Sequence, residues 1–328
     1  MTNSELQKSR EILESLTVES LQTSEGQGEF NQMAGKYIRG KIKKTSLFYK
    51  VMPPQFIAED QLKNYAMGEQ PDLRCLMSRV LVPSNPKPVK AMLMDMDGEP
   101  VPEYVDGKKQ LLIPMRTVKT KWFEKTTEEL SGSGILKVVE EMASWEVKER
   151  DRKFLKYCEL AVAQSGQMLR ENGPLQRDHF RKIKQRSLMK EINPEVVLLS
   201  EIAFMDLDLP DSATEICDMT CIPSTKKELF DTWNNGKLAS TIWSFPAPEF
   251  LGYNLYCGNY KVQSQGEANR WSCQGWEMVG AGIGNINGIT KLAIASSHRL
   301  GFMAGEIKVP EDFDSMGGPE IEKMFGGG

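Results

Sequence analysis

The chain has 328 residues, 40% of them hydrophobic and 26% charged, with a formal net charge of −4. That length suits one large domain or two modest ones, and the composition is ordinary for a globular fold. The charge balance excludes a strongly basic, histone-like nucleic-acid binder, and no run approaches the ~20 apolar residues needed to span a bilayer.

The N-terminus, MTNSELQKSREILES, is polar and carries no signal-peptide core, so folding in a cytoplasm is expected. Residues 1–45 read as an arm. Ile12, Leu13, Leu16 and Leu21 stand amid charged neighbours, and the run TSEGQGEFNQMAGK then interrupts any helix. Basic residues follow from Lys36 to Lys44. Such a segment buries little of its own surface, so it is expected to be extended and loosely ordered, or laid across another subunit.

Pro53 and Pro54 then enforce an extended path. The stretches CLMSRVLVPS and KAMLMDMDGEPVPEYVDGKKQLLIPMRTVKTKWF predict strands with hairpin turns at Asp97-Gly98 and Asp106-Gly107. Pro83, Pro86, Pro88, Pro100, Pro102 and Pro114 would break a central sheet but suit a long two-stranded ribbon with exposed edges. Such a ribbon is marginal alone and needs something to lie on.

The segment GILKVVEEMASWEVKERDRKFLKYCELAVAQSG predicts a long helix over 133–166, with Ser131 or Ser133 as its cap and Gly166 as its stop. Ile135, Val138, Val139 and Met142 form a stripe that Phe154, Leu155, Cys158 and Val162 continue. A second helix follows in PLQRDHFRKIKQRSLMKEI, where Arg177, Arg181, Lys182, Lys184, Arg186 and Lys190 form a solvated face or one turned to nucleic acid or an acidic partner. Next come PEVVLLSEIAF and a capping-box helix with Thr225, Glu228 and a stop at Gly236. Short β runs LGYNLYCG, YKVQSQ and RWSCQGWEMVGAGIG lead to returning strands in KLAIASSHRLGFMAGEIKV and an exposed or docked tail.

No set of residues assembles a catalytic centre. The two histidines, His179 and His298, lie in no motif of known geometry, and a solvent-facing role is expected for His179. Six cysteines without a secretory signal read as reduced thiols. Cys217 and Cys221 form a C-x3-C pair, but neither histidine is regularly spaced from it, so no metal is expected. GAGIGNINGITK has neither the Gly-Lys-Ser/Thr order of a phosphate loop nor the third glycine of a dinucleotide fingerprint, because Asn285 stands there. Its glycines suit sharp bends or close approach. MDMDGEP lacks the glutamate that a calcium loop needs twelve positions from Asp95. No catalytic residue, cofactor site or metal site is predicted.

The order of parts, with the runs YKVMPPQFIAEDQL, TVKTKWFEKTTEEL, VKERDRKFL and GWEMVGAGIGNINGITK, resembles the major capsid proteins of tailed phages, over about 45–310. Their Hong Kong 97-type fold is shared with encapsulins. The resemblance implies an α+β chain with an N-arm (1–45), a segment leading into the peripheral domain (46–69) and an extended hairpin E-loop (70–120). A peripheral domain (121–194) with the spine helix, an axial domain (195–290) and a C-terminal return and tail (291–328) complete it. It also implies a structural, non-enzymatic subunit that self-assembles as pentamers and hexamers into an icosahedral virion head enclosing double-stranded DNA. Expected partners are a scaffolding protein, a portal, a maturation protease, a decoration protein and weakly held DNA. An encapsulin-like compartment is the alternative, and an unrecognised cytosolic enzyme the remaining one. Trp243, Phe245 and Tyr253 are candidates for axial interface or core packing, and arm basics or Lys182–Arg186 for DNA contact.

Overall fold

The N-terminal segment is helical in the computed structural model, which describes residues 3–67, 70–79, 89–101, 103–107, 110–205, 207, 214–234, 237–267 and 269–295. Helix α1 covers Asn3–Ser15 and α2 covers Ser24–Thr45, so the expected loose arm is corrected. The glycine-containing run lies inside α2, whose start is capped by Thr23 accepting from the Gly26 N–H at 3.1 Å. Gly35 is a contact point, since a Cβ there would sit 2.7 Å from the Tyr260 carbonyl oxygen. Phe30, Ala34, Tyr37, Ile38 and Ile42 are buried, so tertiary packing overrides weak local propensity.

Helix α3 (Leu47–Val51) starts at Ser46, whose hydroxyl accepts from the Tyr49 N–H. Pro53 and Pro54 then lead the chain, as expected, into β1 (Gln55–Ile57). The next strands are β2 (Lys63–Met67), β3 (Gln70–Arg79), β4 (Val89–Met94), β5 (Glu103–Gly107), β6 (Gln110–Pro114), β7 (Arg116–Lys119) and β8 (Phe123–Thr126). Asp97-Gly98 does turn β4 back onto β5, with Gly98 at φ +72° and Leu93 opposite Glu103. Asp106-Gly107 ends β5 opposite Lys90 and Val89, while β6 pairs with β3 instead. Pro83, Pro86, Pro88 and Pro102 lie outside the described residues.

A short helix α4 (Thr127–Ser133) carries a capping box in which Thr126 and Glu129 bond reciprocally. Ser131 and Ser133 therefore belong to α4 and do not cap the long helix. Gly134, at φ +77°, separates α4 from α5 (Ile135–Ser165), and Gly166 ends α5 in the left-handed region at φ +69°. Its 31 residues make a rod of about 46 Å.

The rest comprises β9 (Met168–Asn172), α6 (Arg177–Leu188), β10 (Pro194–Ser200), α7 (Glu201–Met205), β11 (Glu215–Ile216) and β12 (Met219–Ser224). Then come β13 (Asp231–Asn234), β14 (Lys237–Pro246), α8 (Pro248–Leu251), β15 (Gly252–Glu267), β16 (Arg270–Ile283) and β17 (Thr290–Ala295). The capping-box helix expected at Thr225 is only a 3-10 turn at Lys227–Leu229, because the chain after it pairs with β14 as β13. Gly236 lies outside the described residues.

Among the described residues, three sheets result. The first runs β1-β15-β16-β4-β5, with β7 and β8 also on β16; the second runs β11-β12-β10-β14-β17-β9, with β13 on β14; the third is β2-β3-β6. The α+β class is as expected, but sheet membership cuts across the expected 195–290 unit. Its β10–β14 portion lies in the second sheet and β15–β16 in the first. Strand period decides the faces. On β16, Trp271, Cys273, Val279, Ala281 and Ile283 join the core with α2 and α5. On β4, Met92 and Met94 join that same core, while Ala91 and Leu93 pack on the opposite face with Leu111, Ile113 and Met115. Phe154 of α5 stacks on Phe48 of α3 at 4.8 Å and on Phe245 of β14 at 5.6 Å, which ties the helix to α3 and to the second sheet.

Candidate functional site

The charged middle of α5 looks in sequence like a solvated gap between two apolar stripes, yet it forms a buried network of ion pairs and hydrogen bonds. Glu146, Arg150, Asp151 and Lys153 are all buried. Arg150 donates to Glu146 Oε2 at 3.0 Å and to the Tyr256 hydroxyl at 3.1 Å, and pairs with Glu277 of β16. Tyr260 donates to the other Glu146 oxygen at 3.1 Å, in space left by Gly275, where a Cβ would meet its ring. Burial works against charge on Arg150, but Glu277 and Glu146 outweigh it and hold the guanidinium charged. Burial pushes the Glu277 carboxyl above its ordinary range, with Arg150 pulling back. Two carboxylates thus share one guanidinium, which fixes helix to sheet.

The next helical turns fasten neighbouring elements. Asp151 accepts from Ser46 Oγ at 2.7 Å and from the Phe48 N–H at 3.1 Å, and Lys226 donates to its second oxygen. Lys153 donates to the Met96 carbonyl at 2.9 Å, Tyr157 to that of Asp95 at 2.9 Å, and Lys156 pairs with Glu99. Tyr104 donates to the Leu160 carbonyl at 3.0 Å. The β4–β5 turn is therefore clamped along the spine helix, and it is not a free ribbon tip. Asp95 also accepts from the Asp97 N–H at 3.0 Å, the Asx bond of that turn.

The other residues singled out from sequence have structural partners. His179 is buried, not solvent-facing: its Nδ1 accepts from the Gln176 N–H at 3.0 Å and caps α6. Burial lowers its pKa. His298 lies outside the described residues. Cys217 and Asp218 both adopt positive φ, 53° and 60°, in the turn joining β11 to β12, and Cys221 is buried. Among the described residues, no group of three or more His, Cys, Asp or Glu side chains is placed to hold a metal ion. Gly280 and Gly282 admit the β6–β7 segment, since a Cβ on Gly280 would lie 2.5 Å from Met115 Sδ and 2.7 Å from the Pro114 carbonyl oxygen. Trp243 and Phe245 are within-chain core, and Tyr253 is half-buried.

Of the basic residues on α6, Lys182 pairs with Glu171 at 2.8 Å, Lys184 with Asp218 at 2.8 Å, and Arg186 bonds Gln167 and the Gly166 carbonyl. Arg177, Arg181 and Lys190 are exposed. Large apolar side chains also reach solvent at Val101, Met189 and Met205, at 70%, 77% and 74% exposure. Among the described residues, no helix is long and apolar enough to cross a membrane. Among the described residues, the charged side chains with partners named above are engaged in bracing one element against another.

No protein-family model and no curated protein matches the chain. Among solved structures it is similar to a virus-like particle from Pyrococcus furiosus, at 14% identity and a TM-score of 0.48, covering 80% of this chain and 99% of that one. It is similar to the capsid of Ralstonia phage GP4 at 8% identity and a TM-score of 0.47, covering 78% and 92%. The SrpI encapsulin complex of Synechococcus elongatus PCC 7942 follows at 16% identity and a TM-score of 0.40, covering 60% and 80%. These likenesses are partial, and the chain's own geometry carries the functional reading.

Proposed function

We propose that this chain is a shell-forming subunit, the major capsid protein of a tailed phage with the Hong Kong 97-type fold. One observation carries this reading. Strands β2 and β3 pair with each other and with β6 but, among the described residues, with no strand of either large sheet. The sheet is held to its own subunit through β6, whose Leu111 and Ile113 pack on the first sheet, and a small sheet anchored along one strand gains most by laying the others on a second molecule. The first sheet is the base to which β6 is packed, and Val101 in the clamped β4–β5 turn is exposed. Sheet membership modifies the proposed parts. The peripheral body is the first sheet with α2 and α5, and the axial part is the second sheet with α6.

In this reading the subunits close as pentamers and hexamers, through many weak symmetric contacts, around double-stranded DNA. A scaffolding protein and a portal are the partners proposed for assembly, with a maturation protease and a decoration protein as further candidates. Contact with DNA is weak and non-specific, and falls to exposed Arg177, Arg181 and Lys190, because Lys182, Lys184 and Arg186 are held within the subunit. Sedimentation of the purified chain, alone and co-expressed with the products of neighbouring genes, tests the assembly. Capsid-sized particles are expected, and a monomer under every condition would sink the reading. Nuclease-protected DNA inside the particles separates a phage head from a compartment that holds protein cargo.

A further inference from the structure

A groove of about 720 Å³ lies between α1, α2 and β1, and the shell reading gives it no role. Lys36, Arg39 and Lys43 stand three and four residues apart on α2, so they share one face, and α1 adds Lys8. Glu5 is the one carboxylate among the lining residues. Among the described residues, Lys8, Lys36 and Lys43 have no ion-pair partner. Arg39 donates to the Gly258 carbonyl and to Asn259, and lies 4.4 Å above the ring of Phe56. Phe56 is nevertheless 53% exposed. A net positive lining beside a half-exposed aromatic ring fits an anionic peptide with apolar side chains. Duplex DNA would satisfy the charge but keeps its bases stacked away from such a ring.

We infer that this groove binds the segment Glu306–Phe325 of the chain's own C-terminal tail. That segment has six acidic residues against two lysines, and it sets Phe313 between Asp312 and Asp314. It therefore offers an aromatic ring flanked by charges of the sign the groove lacks. The chain leaves the second sheet at Ala295, and the 18 residues on to Phe313 span up to about 60 Å when extended. That exceeds the roughly 46 Å of the spine helix, so the tether reaches across its own subunit or onto an adjacent copy.

Photo-cross-linking in the full chain tests this. Phe56 is replaced by p-benzoyl-phenylalanine, the protein is irradiated, and the captured peptides are identified by mass spectrometry. Capture of peptides from 306–325, at monomer or at oligomer mass, is expected. Lys36→Glu with Lys43→Glu should lower the yield roughly tenfold, and Glu311→Lys with Asp314→Lys should restore it. The substituted lysines are exposed, so an unchanged thermal melt checks that the variants fold. Capture of another segment, of nucleic acid or of nothing overturns the inference. The cross-link reads docking whether or not shells form, so its failure is distinct from a failure of the shell reading.

Discussion

Arg150 illustrates how little a charged side chain's local context says about its burial. Its neighbours Glu149 and Arg152 are partly exposed, yet Arg150 is buried against Glu146 and Glu277. Removing it leaves two buried carboxylates facing each other, so Arg150→Met is expected to destabilise the subunit by about 3–5 kcal/mol, read from the urea midpoint. Glu277 adds a dependence on pH. Because burial raises its pKa above the ordinary 4.5, the folded state holds this proton more tightly than the unfolded chain does. Its contribution is thus fully present below 4.5 and is lost as pH rises through the folded value. Between acid and neutral pH the native protein should lose more stability than Glu277→Gln, and a constant difference between the two would contradict this. One sequence signal does mark the pair. Glu277 shares strand parity with Trp271, Cys273 and Val279, and a charge on the apolar face of a strand demands a buried partner.

At the scale of elements, legibility follows how local the cause is. The spine helix could be read to within a few residues, because its apolar stripe and its Gly166 stop are local. The β4–β5 turn was legible for the same reason. Helix α2 was not, because its glycines lower its propensity and what holds it, including the close approach of Gly35 to Tyr260, comes from residues far along the chain. Two substitutions on this helix should therefore act with opposite sign. Gly28 has nothing within 4 Å of where a Cβ would stand, so Gly28→Ala should stabilise by about 0.5–1 kcal/mol through helix propensity. Gly35→Ala should destabilise by about 1–3 kcal/mol, because its Cβ meets backbone at Tyr260. Thermal melts of the two variants check the signs, and equal effects would refute a packing role for Gly35.

Across the whole molecule, the α+β class was legible, and so was a return of late strands to pair with earlier parts. What could not be read was which parts. The N-terminal segment folds onto the body through Phe30, Tyr37 and Ile38, and β4 and β5 belong to the first sheet. Hydrophobic periodicity shows that a segment is a strand but not which strand it pairs with, and pairing settles what is left over. That remainder is the β2-β3-β6 sheet. Cryo-electron microscopy of the particles tests its role most directly. A closed shell in which this sheet lies on an adjacent subunit is the predicted result. A chain that forms no shell, or a shell in which the sheet touches no neighbour, contradicts it.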